Sequence, residues 1–107
     1  MSSFEDREKA FENKYARDQE LAFRVTARRN RLLGEWAAGL MGLTREETEA
    51  YAKSVVQADF EEAGDEDVIR KVLGDLVSAG VDADDQKVRA ALSDRAAEAR
   101  RQFMKEE

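Results

Sequence analysis

The chain contains no cysteine, no histidine and no proline. Without cysteine there is no disulfide framework, no thiolate nucleophile and no thiolate zinc site. Without histidine there is no imidazole base, no Ser-His-Asp triad and no histidine-ligated metal, so an enzymatic role is not expected. Apolar runs stop after a few residues, far short of the ~20 that cross a bilayer. Met1–Arg7 has neither the basic start nor the apolar run of a signal peptide, and no membrane insertion is expected. Aromatic residues make up only 7% of the chain. No Asn-Gly or Asp-Gly pair and no sustained two-residue alternation is present, so hairpins and half-buried strands lack their signals.

Charged residues fill the space left, at 39% of 107 residues, against a usual ~25%. Leu, Ile, Val and Phe together are about a fifth of the chain, the level at which chains tend toward disorder. The shortage is uneven: residues 1–20 hold only Phe4 and Phe11 of that set. The composition therefore divides into a lean folded body and a tail too poor in apolar surface to fold alone. The net charge of -6 disfavours DNA or RNA, because phosphate backbones reward positive fields, and leaves a basic or mixed protein partner open.

Alanine, glutamate, lysine, arginine, leucine and glutamine dominate, and all are strong helix formers. The expected fold is all-α, a small four-helix bundle with a flexible, helix-prone N-terminal tail. Turn chemistry sets the boundaries. Gly39 and Gly42 close a first long helix. Thr44 and Glu47 form a capping box for a second, which runs to about Glu62 or Ala63. Gly64 ends that helix and Asp65 caps a third, with Glu66 and Asp67 in its first turn. Gly80 stops the third, and Asp82 or Asp84 caps a fourth that runs to about Lys105. The expected core is Val25, Leu32, Leu33, Trp36, Leu40, Tyr51, Val55, Val56, Phe60, Val68, Ile69, Val72, Leu73, Leu76, Val77, Val81, Val88, Leu92 and Phe103. Gly34 allows close packing beside Trp36. The expected division is residues 1–19 as a mobile segment and 20–107 as the bundle.

At 100° per residue, Phe4, Phe11, Tyr15 and Ala22 fall within about 40° of arc, one narrow stripe on an otherwise charged surface. Such a stripe either caps the bundle's own core or enters a foreign groove as an amphipathic helix. Arg24, Arg28, Arg29 and Arg31 make the one basic stretch, opposed over residues 21–43 only by Glu35. This is a solvated face or a contact for an acidic partner.

Three runs carry a family resemblance. Ala27-Arg28-Arg29-Asn30-Arg31-Leu32-Leu33-Gly34-Glu35-Trp36-Ala37-Ala38-Gly39-Leu40-Met41-Gly42 resembles the signature of the ζ subunit, the inhibitor of the F1-ATPase in alphaproteobacterial ATP synthases. Asp59-Phe60-Glu61-Glu62-Ala63-Gly64-Asp65-Glu66-Asp67-Val68-Ile69-Arg70-Lys71-Val72 is similar to a second run of that family, and Phe4-Glu5-Asp6-Arg7-Glu8-Lys9-Ala10-Phe11-Glu12 fits its tail. The resemblance implies a four-helix bundle whose mobile N-terminal segment, Ser2–Gln19 here, becomes helical in an interface of the F1 α, β and γ subunits. There it blocks rotation in the hydrolysis direction more than in the synthesis direction. Phe4, Phe11 and Tyr15 are then the anchors, and Arg7, Lys9, Lys14 and Arg17 meet acidic rim groups. The implied location is cytoplasmic, peripheral to the inner membrane through F1, and the free protein is expected to be a monomer. No cofactor is expected, although some family members are linked to adenine nucleotides. Weak ATP or ADP binding near Arg28, Arg31 and Trp36 is the alternative reading, and a generic protein adaptor is a third. The acidic cluster Glu61, Glu62, Asp65, Glu66 and Asp67 lacks EF-hand spacing, and no Gly-Lys-Ser/Thr follows Gly34, Gly39 or Gly42, so neither a calcium loop nor a phosphate loop is expected.

Overall fold

The computed structural model describes residues 3–61 and 64–104, with side chains from 17–59 and 64–104. The side chains of Phe4, Arg7, Lys9, Phe11, Lys14, Tyr15 and Phe60, and residues Glu62, Ala63 and Lys105 as a whole, lie outside that description. Four helices follow one another: α1 (Ser3–Met41), α2 (Arg45–Glu61), α3 (Glu66–Ser78) and α4 (Asp85–Met104). No strand occurs among the described residues.

The helix ends follow local hydrogen bonding. At the start of α2 the Thr44 N–H donates to Glu47 Oε1 at 2.8 Å, and the Glu47 N–H donates back to Thr44 Oγ1 at 3.1 Å. This is the expected capping box. The Lys87 N–H donates to Asp84 Oδ1 at 2.8 Å, which selects Asp84 rather than Asp82 as the cap of α4. Asp65 departs from expectation. Its backbone is already helical (φ -87, ψ -11) and its side chain makes no cap bond. A capping side chain must reach its helix from a non-helical residue. The Asp65 carboxylate accepts instead from Arg29 Nη2 at 3.0 Å, tying the start of α3 to α1.

Two helices close on left-handed glycines. Gly42 (φ +72) follows α1 and Gly80 (φ +81) follows α3. Leu43 N–H reaches the Ala38 carbonyl at 3.0 Å, and Val81 N–H reaches Leu76 at 2.9 Å. Both are six-to-one closures with an apolar residue just past the turn, and both need a φ that side chains resist.

The interior is narrow and built from small side chains. Leu33, Val55, Val68, Val72, Leu76 and Val88 are fully buried, and Ala37, Ala38, Ala52 and Ala99 join them. Trp36, Tyr51, Leu73 and Val81 are half-buried against this cluster. Leu40 and Val77, both expected inside, are 40% and 57% exposed. Val77 sits about 80° or more around α3 from every buried residue of that helix, whereas Leu40, seven residues beyond Leu33 and on nearly the same face, lies in the last turn of α1 past the end of the buried stripe. Gly34 faces α2 rather than Trp36: a Cβ built there would lie 2.7 Å from the Ala52 Cα. The two backbones meet where neither carries bulk.

Exposed and half-exposed polar ties join the remaining helices. Tyr51 Oη donates to Asp75 Oδ2 at 2.8 Å, and Lys71 Nζ reaches the same oxygen at 3.1 Å. Burial, and then the bond to Asp75, pushes the Tyr51 phenol upward. Arg89 of α4 grips both oxygens of Glu66 in α3, at 2.9 and 2.7 Å. That bond, first among the causes, holds the Glu66 carboxyl below its ordinary 4.5. The Thr44 backbone N–H, followed by its hydroxyl, does the same for Glu47.

α1 is far longer than its partners. Its 39 residues span ~58 Å at 1.5 Å each, close to the molecule's longest dimension of 65 Å. Residues 17–20 are exposed, and among the described side chains of α1 burial begins at Leu21.

Two predictions follow from packing and charge. Gly34→Ala forces α1 from α2 and is expected to lower stability by about 1–3 kcal/mol. Gly74, with open space around it, is the control: Gly74→Ala should raise stability by about 0.5–1 kcal/mol. Thermal melts read both, at about 4–8 °C per kcal/mol for a domain this small. In acid, Glu47 and Glu66 have folded pKa values below their unfolded ones. Their stabilisation is complete above pH 4.5 and is lost as pH falls through the depressed folded values. Melting temperature should drop below pH 4.5, and Glu47→Gln with Glu66→Gln should flatten that drop; an unchanged acid slope would disprove the assignment.

Candidate functional site

The basic stretch of α1 separates by helical direction. Arg29 turns inward, its side chain only 12% exposed, and holds Asp65. Its Nε also donates to Asn30 Oδ1 at 3.0 Å. Asn30 is 1% exposed, and its Nδ2 has no hydrogen-bond partner. An unpaired buried amide donor is costly, by about 1–3 kcal/mol. It borders a small cavity of about 30 Å³ lined also by Phe23, Thr26, Ala27, Val56 and Asp59.

Arg28 and Arg31 turn outward into a larger groove of about 420 Å³. Phe23, Arg24, Ala27, Arg28 and Arg31 of α1 line it, with Lys53, Val56 and Gln57 of α2 and Phe103 of α4. Among the described residues every ionisable group in that lining is a cation. The Arg28 guanidinium lies 6.0 Å from the Phe103 ring centroid. Arg24 pairs with Glu20 and Arg31 with Glu35, both exposed contacts one turn away. Such pairs contribute little and yield easily to a competitor. Among the described residues no carboxylate is paired with Arg28 or Lys53. The size is typical of a ligand or docking groove.

The structure thus brings Arg28 and Arg31 together and leaves Trp36 outside, packed on the core cluster. Arg17 is exposed beside Asp18, Glu20, Leu21 and Arg24 in a shallow depression of about 180 Å³. Phe23, Arg24, Lys53, Val56, Gln57 and Phe103 were not singled out as site residues from the sequence. A signal for Phe23 was present: Phe23, Asn30 and Ala37 are seven apart and share one face. Asn30 and Ala37 are buried, while Phe23 is 54% exposed in the groove that α2 and α4 help to line. The acidic cluster is partly explained as well, since Asp65 and Glu66 are each held by an arginine from another helix.

A family profile described as ATPase inhibitor subunit zeta matches residues 1–102. The chain belongs to that family. It is therefore an ATPase inhibitor subunit, a regulatory protein and not an enzyme, and membership implies binding to the F1 sector of an ATP synthase. A solved structure, described as the solution NMR structure of the protein, is similar to it at 48% sequence identity with a TM-score of 0.69. That match covers 79% of this chain and 96% of the other. No curated protein matches the chain. Among the described residues, no helix of this ζ-family protein is long and apolar enough to cross a membrane.

Proposed function

We propose that residues 1–19 form an inhibitory wedge that enters an interface of the F1 α, β and γ subunits, while residues 20–107 form the bundle that stops it at the mouth. The observation that carries this reading is the length of α1. The helix continues past its partners to Ser3, and residues 17–20 stand exposed. A projecting amphipathic helix with aromatic anchors is the form that groove-binding segments take. Phe4, Phe11 and Tyr15 bury in the cleft, and Arg7, Lys9, Lys14 and Arg17 steer the approach to acidic rim groups. The protein is then peripheral to the membrane through F1.

Weak ATP or ADP binding is the second reading. It draws on Arg28 and Arg31 sharing one cationic groove, and draws nothing from Trp36, which lies elsewhere. Titrating ATP while following the arginine side-chain resonances tests it; unmoved Arg28 and Arg31 signals would end it.

For the wedge, Phe11→Ala and Tyr15→Ala should each raise the half-inhibitory concentration on a matched F1 at least about tenfold, as loss of a buried aromatic anchor does. The melting temperature of the bundle should not change. A chain lacking residues 2–19 that inhibits hydrolysis as well as the full chain would refute the wedge.

A further inference from the structure

We propose that the cationic groove at the root of the projecting helix is a second docking site, which seats an acidic amphipathic helix of the F1 partner at the mouth of the cleft. The inference rests on the wedge reading and names the partner surface that the bundle meets.

Position comes first. Phe23 lies four residues beyond Gln19, or ~6 Å along α1. Once residues 1–19 are inside the cleft, this groove is the part of the bundle at its rim. Charge comes second. In a chain of net charge -6 the groove gathers Arg24, Arg28, Arg31 and Lys53, with no acid among the described residues of its lining. On α1 the three arginines fall within about 60° of arc, ~6 Å and ~4.5 Å apart along the axis. That row matches carboxylates one turn apart on a facing helix. Apolar surface comes third. Phe23, seven residues before Asn30 on the same face of α1, is 54% exposed, and Val56 and Phe103 add apolar surface to the same lining. One bulky apolar side chain between two acids suits that surface, and Asn30, whose Nδ2 is unpaired, lines a small cavity that shares Phe23, Ala27 and Val56 with the groove.

A phosphate ligand is a poorer match. All lining residues sit in helix interiors or at the C-terminal end of α4. No helix N-terminus opens into the groove to offer free backbone N–H groups, which phosphate sites commonly use. The three arginines form a spaced row along α1.

The test uses the full chain on intact F1. Arg28→Glu combined with Lys53→Glu changes two exposed side chains, and circular dichroism checks that the helices remain. Association should slow about tenfold or more at low salt, most of the salt dependence should vanish, and inhibition at saturation should persist. Because the chain has no cysteine, Gln57→Cys carrying a photo-crosslinker labels one place only; its adduct should fall on an acidic helical stretch of F1. Wild-type association by the charge-reversed chain overturns the groove proposal, and the wedge still stands if Phe11→Ala weakens inhibition. Loss of bound fluorescent ATP with unchanged docking also overturns it, in favour of a nucleotide site. A wild-type chain that fails to inhibit F1 overturns both.

Discussion

α1 and α2 meet at Gly34 and Ala52 so closely that a single added methyl would touch backbone, and most of the architecture depends on that approach. It sets the interhelical spacing to which Leu33, Ala37, Ala38 and Val55 are fitted. It fixes the part of α1 that is wall, and so the part that is left over. A helix packed through small residues gains from contact geometry more than from buried area. Loosening the seam at one position would release the neighbours on both sides.

Electrostatics divides the molecule in a second way. The acidic groups Asp65, Glu66 and Asp75 each face a cation, two of them from another helix, and serve to join elements. The outward cations Arg28 and Lys53 have no such task. A surplus of one sign on an otherwise acidic protein has its consequence in encounter with a partner, where long-range fields govern approach. Within the run Arg28–Arg31 the same residue type thus serves two ends, and helical direction alone assigns them.

Much of this was legible in the residues. The capping box at Thr44, the glycine stops at Gly42 and Gly80, and the buried stripe of α3 follow from local chemistry that tertiary contacts do not override. Asp65 was misread because a carboxylate before a helix caps it only if nothing stronger claims it, and Arg29 lies 36 positions away in sequence. Leu40 lies past the end of the buried stripe of α1 and Val77 to the side of that of α3, and hydrophobicity alone reports neither. The groove was invisible for a related reason. Its lining comes from three helices, and the residues that α2 and α4 add to the arginines of α1 are far from them in sequence. The side chains of the tail anchors lie outside the description, so their stripe is known from spacing alone.

The alanine- and valine-rich interior has a thermal consequence. Heat capacity rises on unfolding in proportion to the apolar surface released, by about 0.45 cal/K/mol per Å². Alanine releases little, and among the described residues no Phe, Tyr or Trp is fully buried. The increment per residue therefore falls below the ~12–15 cal/mol/K of ordinary domains. The free-energy curve against temperature is correspondingly flat, and the folded fraction of this small bundle changes slowly between cold and warm growth conditions.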